Sequence, residues 1–438
     1  MKKVLVLGAG LVAKPLVRYL LDSDYNVKVA SRTVSKAETL IGNHPNGRAE
    51  KLDVDDKSRL KDLIENSDIV ISLLPYIHHV TVADICIEKK KDMVTTSYVS
   101  DKMQGLNEKA VNAGIIILNE IGLDPGIDHM SAMKIIDDVK NNGGKITSFC
   151  SYCGGLPAPE ANTNPFGYKF SWSPKGVVLA AKNNAKYLKD GKEVFVPSEN
   201  LFDDCSIINI PSLGDFETYP NRDSTLYIEK YGINGTETMF RGTFRNIGWC
   251  RTWKKIVELG LLNEKIMDLT GLFFREFTGR LTNKKDVNKK EVAEYLKIDE
   301  NSDVMKKLEW LGLLSDGKLP ITQGSAFDVL VVQLLKKLQY EKGERDMIVL
   351  RHEFIAEFEK RKEKINSTLI DFGIPNGDSS MARTVSLPAA IATKLILEGK
   401  INVKGVQIPT IPAIYEPVLN ELEKFGITFK EIVEDINI

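Results

Sequence analysis

The chain has 438 residues, of which 43% are apolar and 27% are charged. This length predicts two or three domains, and this composition excludes a chain that is disordered throughout. The 59 lysines and arginines balance 60 aspartates and glutamates, for a formal net charge of −1. Because proteins that bind nucleic-acid backbones usually carry a basic excess, we expect no nucleic-acid partner.

The five cysteines are few, odd in number and unevenly spaced, which favours a reducing, cytoplasmic setting. No apolar run approaches the roughly 18 residues of a membrane span, so we expect no membrane association. Two lysines before the apolar run at residues 4–13 imitate a short signal peptide. Gly8 and Gly10 interrupt that run in a pattern that favours a strand followed by a turn.

The first 120 residues alternate between strand and helix patterns. Short apolar runs predict buried strands at residues 3–7, 26–30, 69–74, 93–96 and 115–118. Helical spacing is found between them, at residues 14–22, 80–90 and 101–113. Alternating strands and helices predict an α/β fold with a Rossmann-type, doubly wound parallel sheet.

The pattern changes after about residue 123. Extended stretches are predicted at residues 145–152, 193–196, 239–245, 347–355 and 367–372. Residues 248–340 are predominantly helical in pattern, and residues 381–398 predict one more helix. This last helix is placed so that it can rejoin the Rossmann domain, which makes both main domains discontinuous.

A glycine-rich turn follows the first predicted strand, with Gly8, Gly10 and the small Ala13 at the spacing G-x-G-x-x-A. Gly8 permits a tight turn, and Gly10 lets the backbone approach a pyrophosphate at the helix N-terminus. The alternative is a purely structural glycine turn. The candidate residues for binding the cofactor here are Gly8, Ala9, Gly10, Leu11 and Val12.

The end of the second predicted strand distinguishes between the two nicotinamide cofactors. NAD sites usually place a carboxylate there, against the ribose 2′-hydroxyl. Here the residues are Ser31, Arg32 and Thr33, which suit a 2′-phosphate and predict NADP rather than NAD. The alternative is that Arg32 is an exposed loop charge.

Longer motifs carry a specific resemblance. They lie at residues 70–76, 96–98, 120–129, 151–160, 164–165, 168–173, 219–224 and 241–245. Together they strongly resemble the glutamate-forming saccharopine dehydrogenases, also called saccharopine reductases. The resemblance extends over essentially the whole chain, from the first strand to the C-terminal region.

The resemblance implies a reversible reaction: saccharopine, water and NADP give L-glutamate, 2-aminoadipate 6-semialdehyde and NADPH, in lysine metabolism. It also implies a homodimer of three-domain chains. We expect a Rossmann domain at residues 1–123, rejoined by 378–404. We expect an α/β substrate and dimerisation domain at residues 124–247, joined by 341–377 and 405–438. We expect a helical domain at residues 248–340.

The substrate of that family carries three carboxylates, which need cationic partners. The family's saccharopine contacts carry over onto Arg222 and onto Thr243, Phe244 and Arg245. If residues 241–245 are extended, Arg241, Thr243 and Arg245 lie on one face, and arginine can pair with a carboxylate through two hydrogen bonds. For Arg241 a structural ion pair is an equal alternative.

Proton transfer is needed at the secondary amine and at the carbinolamine. Asp124, Tyr98 and Cys153 are the candidates, each in a motif shared with the family, and no single one is assigned as the general base. Asp124 and Tyr98 are also expected to contact the substrate, as is Ser97. Ser97 and Asp124 are expected near the cofactor as well. Thr96, Leu123, Pro125 and Ser173 are expected to contact its nicotinamide half or the substrate, and Asp53, Val54 and Leu74 are expected near its adenine and ribose.

No metal site is predicted. Cys150 and Cys153 have the spacing of a redox or metal pair, but in a strand residues three apart face opposite sides. Two other functions stay open: a related protein that binds without catalysis, and a carboxy-polyamine dehydrogenase. The first should lack the substrate arginines and the Leu-Asp-Pro-Gly segment, which are present here at Arg222, Arg245 and residues 123–126.

Overall fold

The computed structural model describes residues 1–436. The chain divides into two compact units. Unit 1 comprises residues 1–146, 230–233 and 355–438, and unit 2 comprises residues 147–229 and 234–354. The division into three domains that the sequence suggests is a different partition and stays a prediction.

The strands are β1 (Lys3–Leu7), β2 (Asn26–Ser31), β3 (Gly47–Lys51), β4 (Ile69–Ser72), β5 (Asp92–Thr95), β6 (Ile116–Leu118), β7 (Lys145–Pro157), β8 (Ala185–Lys189), β9 (Lys192–Val196), β10 (Ser206–Ile210), β11 (Gly214–Pro220), β12 (Thr238–Asn246), β13 (Met267–Asp268), β14 (Gln323–Gly324), β15 (Asp346–Glu357), β16 (Lys362–Phe372), β17 (Gly405–Gln407) and β18 (Lys430–Ile436).

The α-helices are α1 (Ala13–Asp22), α2 (Val34–Ile41), α3 (Lys57–Glu65), α4 (His79–Lys89), α5 (Asp101–Gln104), α6 (Asn107–Ala113), α7 (Ile127–Asn141), α8 (Pro174–Ala180), α9 (Leu226–Lys230), α10 (Trp249–Glu258), α11 (Phe274–Leu281), α12 (Lys289–Leu296), α13 (Asp303–Leu311), α14 (Ala326–Lys337), α15 (Ser380–Leu397) and α16 (Pro412–Glu423). Short 3₁₀ turns lie at Tyr76–His78, Pro159–Ala161 and Ser198–Asn200. None of the helices within residues 1–436 is long and apolar enough to cross a membrane.

Unit 1 is built on a parallel sheet of seven strands in the order β17-β6-β5-β4-β1-β2-β3. Its central strands are apolar because both faces are covered, and all four residues of β4 are buried. From β1 the strand order proceeds through β2 to one edge of the sheet and through β4 to the other edge. The order therefore reverses between β1 and β4, which is the topological switch point. The Rossmann-type parallel sheet predicted from the sequence is confirmed.

The C-terminal part of the chain completes unit 1. Helix α15 packs on α1, and α16 packs on both α7 and α15. Strand β17 extends the parallel sheet by pairing with β6. Strands β16 and β18 form an antiparallel pair in which Ile365 lies opposite Val433.

Unit 2 contains a mixed sheet in the order β10-β11-β12-β7-β15. Strand β12 runs parallel to β7 and antiparallel to β11 and β8, and β8 forms a hairpin with β9. After β12 the chain becomes helical from α10 to α14, interrupted by the two-residue pair of β13 with β14. The extended stretches predicted at residues 145–152, 239–245 and 347–355 are strands of this sheet, and the helical stretch at residues 248–340 is as the sequence predicts.

Some elements differ from the sequence patterns. The predicted helix at residues 101–113 is two helices, α5 and α6, separated by Gly105 and Leu106. The helix is interrupted there because glycine destabilises a helix interior and because the side chain of Leu106 is buried. Strand β3 and helix α7 have no counterpart in the predicted elements: β3 is a polar edge strand, and α7 is buried on most sides.

Candidate active site

The predicted cofactor residues of unit 1 follow the carboxyl ends of its parallel strands. The turn at Gly8 follows β1, Arg32 follows β2, and Asp53 follows β3. Leu74 follows β4, and Thr96 follows β5. Because these strands are parallel, their carboxyl ends share one edge, which is where doubly wound sheets bind their ligands.

The glycine turn has the geometry that a dinucleotide needs. Gly8 has φ 109°, and a Cβ there would lie 3.0 Å from the carbonyl oxygen of Leu73. A Cβ at Gly10 would meet no atom within 4 Å, so open space lies beside this backbone. Helix α1 begins after Val12, and no side chain caps it. The N–H of Ala13 donates to the carbonyl of Gly10 over 3.2 Å, and Pro15 has no N–H, so a pyrophosphate would use the remaining N–H groups of this turn, which the residues fit.

The side chains that follow β2 are also accessible. Arg32 and Thr33 are exposed, and Arg32 forms no ion pair with another residue within 1–436. The Ser31 hydroxyl accepts a 3.3 Å hydrogen bond from the N–H of Thr33, which folds this corner before α2. An exposed guanidinium beside two hydroxyls fits a 2′-phosphate. Asp53 is exposed too and accepts a hydrogen bond from the N–H of Asp55.

Tyr98 and Asp124 form a hydrogen-bonded pair. The Tyr98 hydroxyl donates to Oδ1 of Asp124 over 2.9 Å, although the two residues lie on different loops. The Asp124 loop is a tight turn in which the Gly122 N–H donates to the carbonyl of Pro125 over 2.9 Å. A Cβ at Gly126, which has φ 148°, would collide with the backbone of Gly122. Two of the three predicted proton-transfer residues are therefore in direct contact.

A buried histidine supports the loop that carries Ser97. His79, 4% exposed, bonds through Nδ1 to the hydroxyl of Ser72 and through Nε2 to that of Ser97, each over 2.9 Å. Thr95 lies 3.2 Å from the same Nε2. Burial, with a smaller contribution from the charge of His78, lowers the pKa of His79 to about 4. His79 is therefore neutral near pH 7, with one ring nitrogen donating and the other accepting.

A second buried set of hydrogen bonds, formed by Glu120, His129 and Tyr231, fixes the backbone next to Tyr98. Glu120 bonds to Nε2 of His129 over 2.8 Å and accepts the N–H of Val99 over 2.9 Å. The Nδ1 of His129 bonds to the hydroxyl of Tyr231 over 2.5 Å. Burial raises the pKa of Glu120, but the hydrogen bonds and charge of His129, with the N–H of Val99, bring it down to about 2.

Sequence reasoning missed the contacts of His79, Glu120, His129 and Tyr231. Each makes its contact with a residue distant in sequence: 18 residues separate His79 from Ser97, and 102 separate His129 from Tyr231. No local spacing signals such pairs. The long family motif at residues 120–129 was the one sequence signal that pointed to this part of the site.

In unit 2 two of the predicted substrate residues, Thr243 and Arg245, lie on one face of the mixed sheet. Thr243 on β12 lies beside Cys153 on β7 and opposite Tyr219 on β11. Alternation along β12 puts Arg241 and Arg245 on the same face as Thr243, as the sequence predicts. On the other face the buried ring of Phe244 packs 5.4 Å from Tyr152. The Phe244 side chain packs inside unit 2, and its contact with substrate stays a prediction.

Arg245 is a buried cation among aromatic rings. It is 5% exposed, and its guanidinium lies 5.0 Å from the ring centres of both Tyr168 and Trp249. One of its nitrogens donates to the carbonyl of Phe244 over 2.8 Å, while Nε has no hydrogen-bond partner within residues 1–436. Ring nitrogen Nε1 of Trp249 and the hydroxyl of Tyr168 are also buried and unsatisfied there.

Arg222 is exposed on a short segment after β11 that is fixed by its backbone. The N–H of Asn221 donates to the carbonyl of Arg241 over 2.8 Å, and the N–H of Lys186 donates to the carbonyl of Arg222 over 2.9 Å. Arg222 itself has φ 55°. Arg241 is buried, with its guanidinium 4.6 Å from the centre of the Tyr227 ring. The structure therefore brings Arg222 next to β12 within unit 2.

Two further predicted residues have identifiable surroundings in unit 2. Ser173 is exposed, and its hydroxyl caps α8 by accepting the N–H of Gly176 over 3.3 Å. Cys150 and Cys153 lie on the continuous strand β7, so their side chains point to opposite faces, and neither forms a disulfide. The prediction that the CxxC spacing is not a redox pair is consistent with this geometry.

Comparisons with known proteins agree along the whole chain. Two family models match, the saccharopine dehydrogenase NADP binding domain at residues 4–118 and the saccharopine dehydrogenase C-terminal domain at residues 122–427. Saccharopine dehydrogenase (NADP(+), L-glutamate-forming) of Schizosaccharomyces pombe is 42% identical, covering 99% of this chain and 100% of the relative. The enzyme of the same name from Saccharomyces cerevisiae is 44% identical, covering 98% and 99%.

A solved structure gives the same result. Apo histidine-tagged saccharopine dehydrogenase (L-Glu forming) from Saccharomyces cerevisiae matches with a TM-score of 0.91 and 42% identity, over 99% of this chain and 100% of that one. The chain also spans about half of a longer relative, the mitochondrial alpha-aminoadipic semialdehyde synthase of Bos taurus, at 40% identity. Its motifs, its fold and these full-length matches make the chain a member of the saccharopine dehydrogenase family, with that family's NADP-binding domain.

Proposed function

We propose that this protein is an NADP-dependent saccharopine dehydrogenase of the L-glutamate-forming type. It converts saccharopine, NADP⁺ and water to L-glutamate, 2-aminoadipate 6-semialdehyde, NADPH and a proton, and it catalyses the reverse reaction as well. The two relatives with 42% and 44% identity, covered almost completely, carry this activity in their names. Oxidation occurs at a carbon–nitrogen single bond, and the imine that results is hydrolysed.

The observation that carries the proposal is the environment of Arg245. A guanidinium that is 5% exposed and forms no ion pair within residues 1–436 is costly, because a buried charge needs a compensating partner. A substrate carboxylate supplies that partner, and the free Nε and the indole N–H of Trp249 supply further donors. Saccharopine has three carboxylates, and we assign one of them to Arg245 and a second to Arg222.

Proton transfer falls to Asp124 and Tyr98 in this proposal. The 2.9 Å hydrogen bond between them fixes the Asp124 carboxylate and gives it a neighbouring hydroxyl through which a proton can move. Asp124 takes the proton of the substrate's secondary ammonium before oxidation. After water adds to the imine, the same pair returns a proton to the nitrogen that leaves with glutamate. Cys153, beside Thr243, is the third candidate for this work.

NADP supplies the hydride chemistry when it is bound. The chain's own residues hold it in place: the turn at Gly8 and the N-terminus of α1 accept the pyrophosphate, and Arg32 with Ser31 and Thr33 accepts the 2′-phosphate. His79 keeps the hydroxyl of Ser97 oriented at the end of β5. Positioning of this kind is the main contribution of the protein in cofactor-dependent hydride transfer.

We also propose a homodimer in the cytoplasm. The family resemblance supports dimerisation, and exposed apolar side chains on strands of unit 2, Phe195 on β9 and Ile207 on β10, supply surface that a partner can cover. The five cysteines form no disulfide with one another, which suits a reducing compartment. Light scattering on purified protein tests the dimer: a mass of one chain at micromolar concentration contradicts it.

The enzymatic proposal is tested by steady-state turnover in both directions. Purified protein is expected to reduce NADP with saccharopine and to oxidise NADPH when given glutamate and 2-aminoadipate 6-semialdehyde. Short diamines are screened as co-substrates in place of glutamate, because a carboxy-polyamine dehydrogenase would accept them. No turnover with either nicotinamide cofactor, or a preference for diamines, overturns the proposal.

A further inference from the structure

Unit 2 contains a group of side chains that the reaction does not use. Cys205 lies just before β10, Glu217 lies on β11, and Cys250 lies in the first turn of α10. The two sulfurs and a carboxylate oxygen are all within 4.8 Å of one another. Sequence spacing gives no hint of this group, because its members are 12 and 33 residues apart.

The carboxylate of Glu217 is held rigidly. One oxygen accepts the N–H of Gly248 over 2.8 Å, and the other accepts the N–H of Cys250 over 2.7 Å. Hydrogen bonds of this kind orient a metal ligand without using all its lone pairs, since each carboxylate oxygen has two. Glu217 therefore caps α10 and still presents an oxygen towards the two thiols.

The groups around these three side chains can stabilise negative charge. The buried ammonium of Lys307 lies near the start of α10, where Nζ donates to the carbonyl of Gly248 over 3.1 Å. The N-terminus of α10 adds a partial positive charge on the same side. Two thiolates and a carboxylate around a divalent cation carry one net negative charge, which these groups offset.

The group is also accessible from one side. Cys250 is buried, and Cys205 is half-buried, so solvent reaches the group past Cys205. The three protein ligands can occupy three corners of a tetrahedron, and the open side leaves the fourth corner to water. Thiolate sulfur selects zinc over magnesium or calcium, which require oxygen ligands.

We propose that Cys205, Glu217 and Cys250 bind one zinc ion, with water as the fourth ligand. Binding exchanges two thiol protons for Zn²⁺, and no electron is transferred. The ion links the start of β10, the middle of β11 and the start of α10. Its proposed role is to link these three segments, and it lies outside the groups assigned to proton and hydride transfer.

The test uses the full-length chain, reduced and freed of metal, and titrated with Co²⁺ as a spectroscopic substitute for zinc. Thiolate-to-cobalt charge-transfer absorption is expected to saturate at one equivalent and to disappear on addition of Zn²⁺. Cys205→Ser is expected to weaken binding by at least about 100-fold, because losing a direct ligand costs more than disturbing an outer-shell contact. Cys150→Ser is the matched control, since Cys150 is also in unit 2 and only partly buried, and it should bind as the wild type does.

Thermal unfolding gives an independent measurement. Excess Zn²⁺ should raise the Tm of the wild type and of Cys150→Ser but not that of Cys205→Ser, because a ligand that binds only the folded state stabilises it. Cys205 is half-buried, so this variant is expected to fold, which its circular dichroism verifies. Wild-type protein whose thiols are all reduced and that shows no charge-transfer band overturns the proposal. Equal cobalt affinity in Cys205→Ser overturns it as well.

Discussion

The hydroxyl of Tyr98 donates a 2.9 Å hydrogen bond to Oδ1 of Asp124. The two residues come from loops that follow β5 and β6, and each loop is fixed independently. Hydrogen bonds from Gly122 and Ile127 tighten the Asp124 loop, and Glu120 holds the N–H of Val99 next to Tyr98. The pair is thus positioned before any ligand binds, which is what a group that transfers protons requires.

Asp124→Asn keeps the shape of this pair and removes its charge. We expect kcat to fall by about 100- to 10,000-fold, the usual contribution of a general acid–base group. Tyr98→Phe should lower kcat by a smaller factor, about 10- to 100-fold, through loss of one hydrogen bond to a charged group. Tyr415→Phe is the matched control, because Tyr415 donates a 2.7 Å hydrogen bond to Asp137 elsewhere in unit 1. An Asp124→Asn enzyme with normal kcat removes Asp124 from the mechanism.

Arg32→Ala tests how the cofactor is selected. Loss of charge-assisted hydrogen bonds to the 2′-phosphate should lower kcat/KM for NADP by about 10- to 100-fold. The value for NAD should change little, because NAD has no phosphate there. Arg48→Ala is the control: Arg48 is bound to the carbonyl of Pro45 at the start of β3, away from the carboxyl edge. Equal losses with both cofactors contradict the proposed role of Arg32.

Arg245→Met separates a substrate-binding role from a structural one. The KM for saccharopine should rise by about 10-fold or more, because a charged hydrogen-bonding partner is lost. The free energy of unfolding should change by less than about 1 kcal/mol, since relief of an uncompensated buried charge offsets the lost contacts with Tyr168 and Trp249. The exposed Arg251 on α10 gives the control Arg251→Met, in which neither quantity should move. Loss of several kcal/mol with an unchanged KM identifies Arg245 as structural.

His79 predicts a dependence of stability on pH. Its pKa is about 4 in the folded chain and about 6.5 when unfolded, so between these values the unfolded chain binds more protons. This contribution to stability is complete above pH 6.5 and is lost as the pH falls towards 4, by about 3 kcal/mol. Urea unfolding of the wild type and of His79→Gln at pH 7 and pH 4.5 measures it. The difference in stability between the two proteins should shrink or reverse at pH 4.5, and a constant difference contradicts the assignment.

The parts of the fold that could be predicted are those with local patterns. The turn at Gly8, the buried strands β1 and β4, and the alternation of Arg241 and Arg245 along β12 all follow from spacings within a few residues. Helix α7 was missed because its buried residues cover most of its surface, so it has little of the amphipathic pattern that marks a surface helix. Strand β3 was missed because a polar edge strand has no apolar run.

The site residues also divide into those that a local sequence pattern predicts and those that it does not. Arg32, Asp124 and Arg222 stand in segments that a motif or a strand end identifies. His79, the Glu120–His129–Tyr231 chain and the Cys205–Glu217–Cys250 group consist of contacts between distant segments, which one sequence does not encode locally. That Arg245 has no carboxylate partner within residues 1–436 is likewise visible only once the chain is folded.

Product quantification tests the central claim most directly. Wild-type protein is incubated with saccharopine and NADP, and NADPH, glutamate and 2-aminoadipate 6-semialdehyde are measured in the same samples over time. The account predicts that the three products appear in equal amounts, and that Asp124→Asn forms all three far more slowly. Formation of NADPH without glutamate, or of lysine and 2-oxoglutarate in its place, would contradict the account.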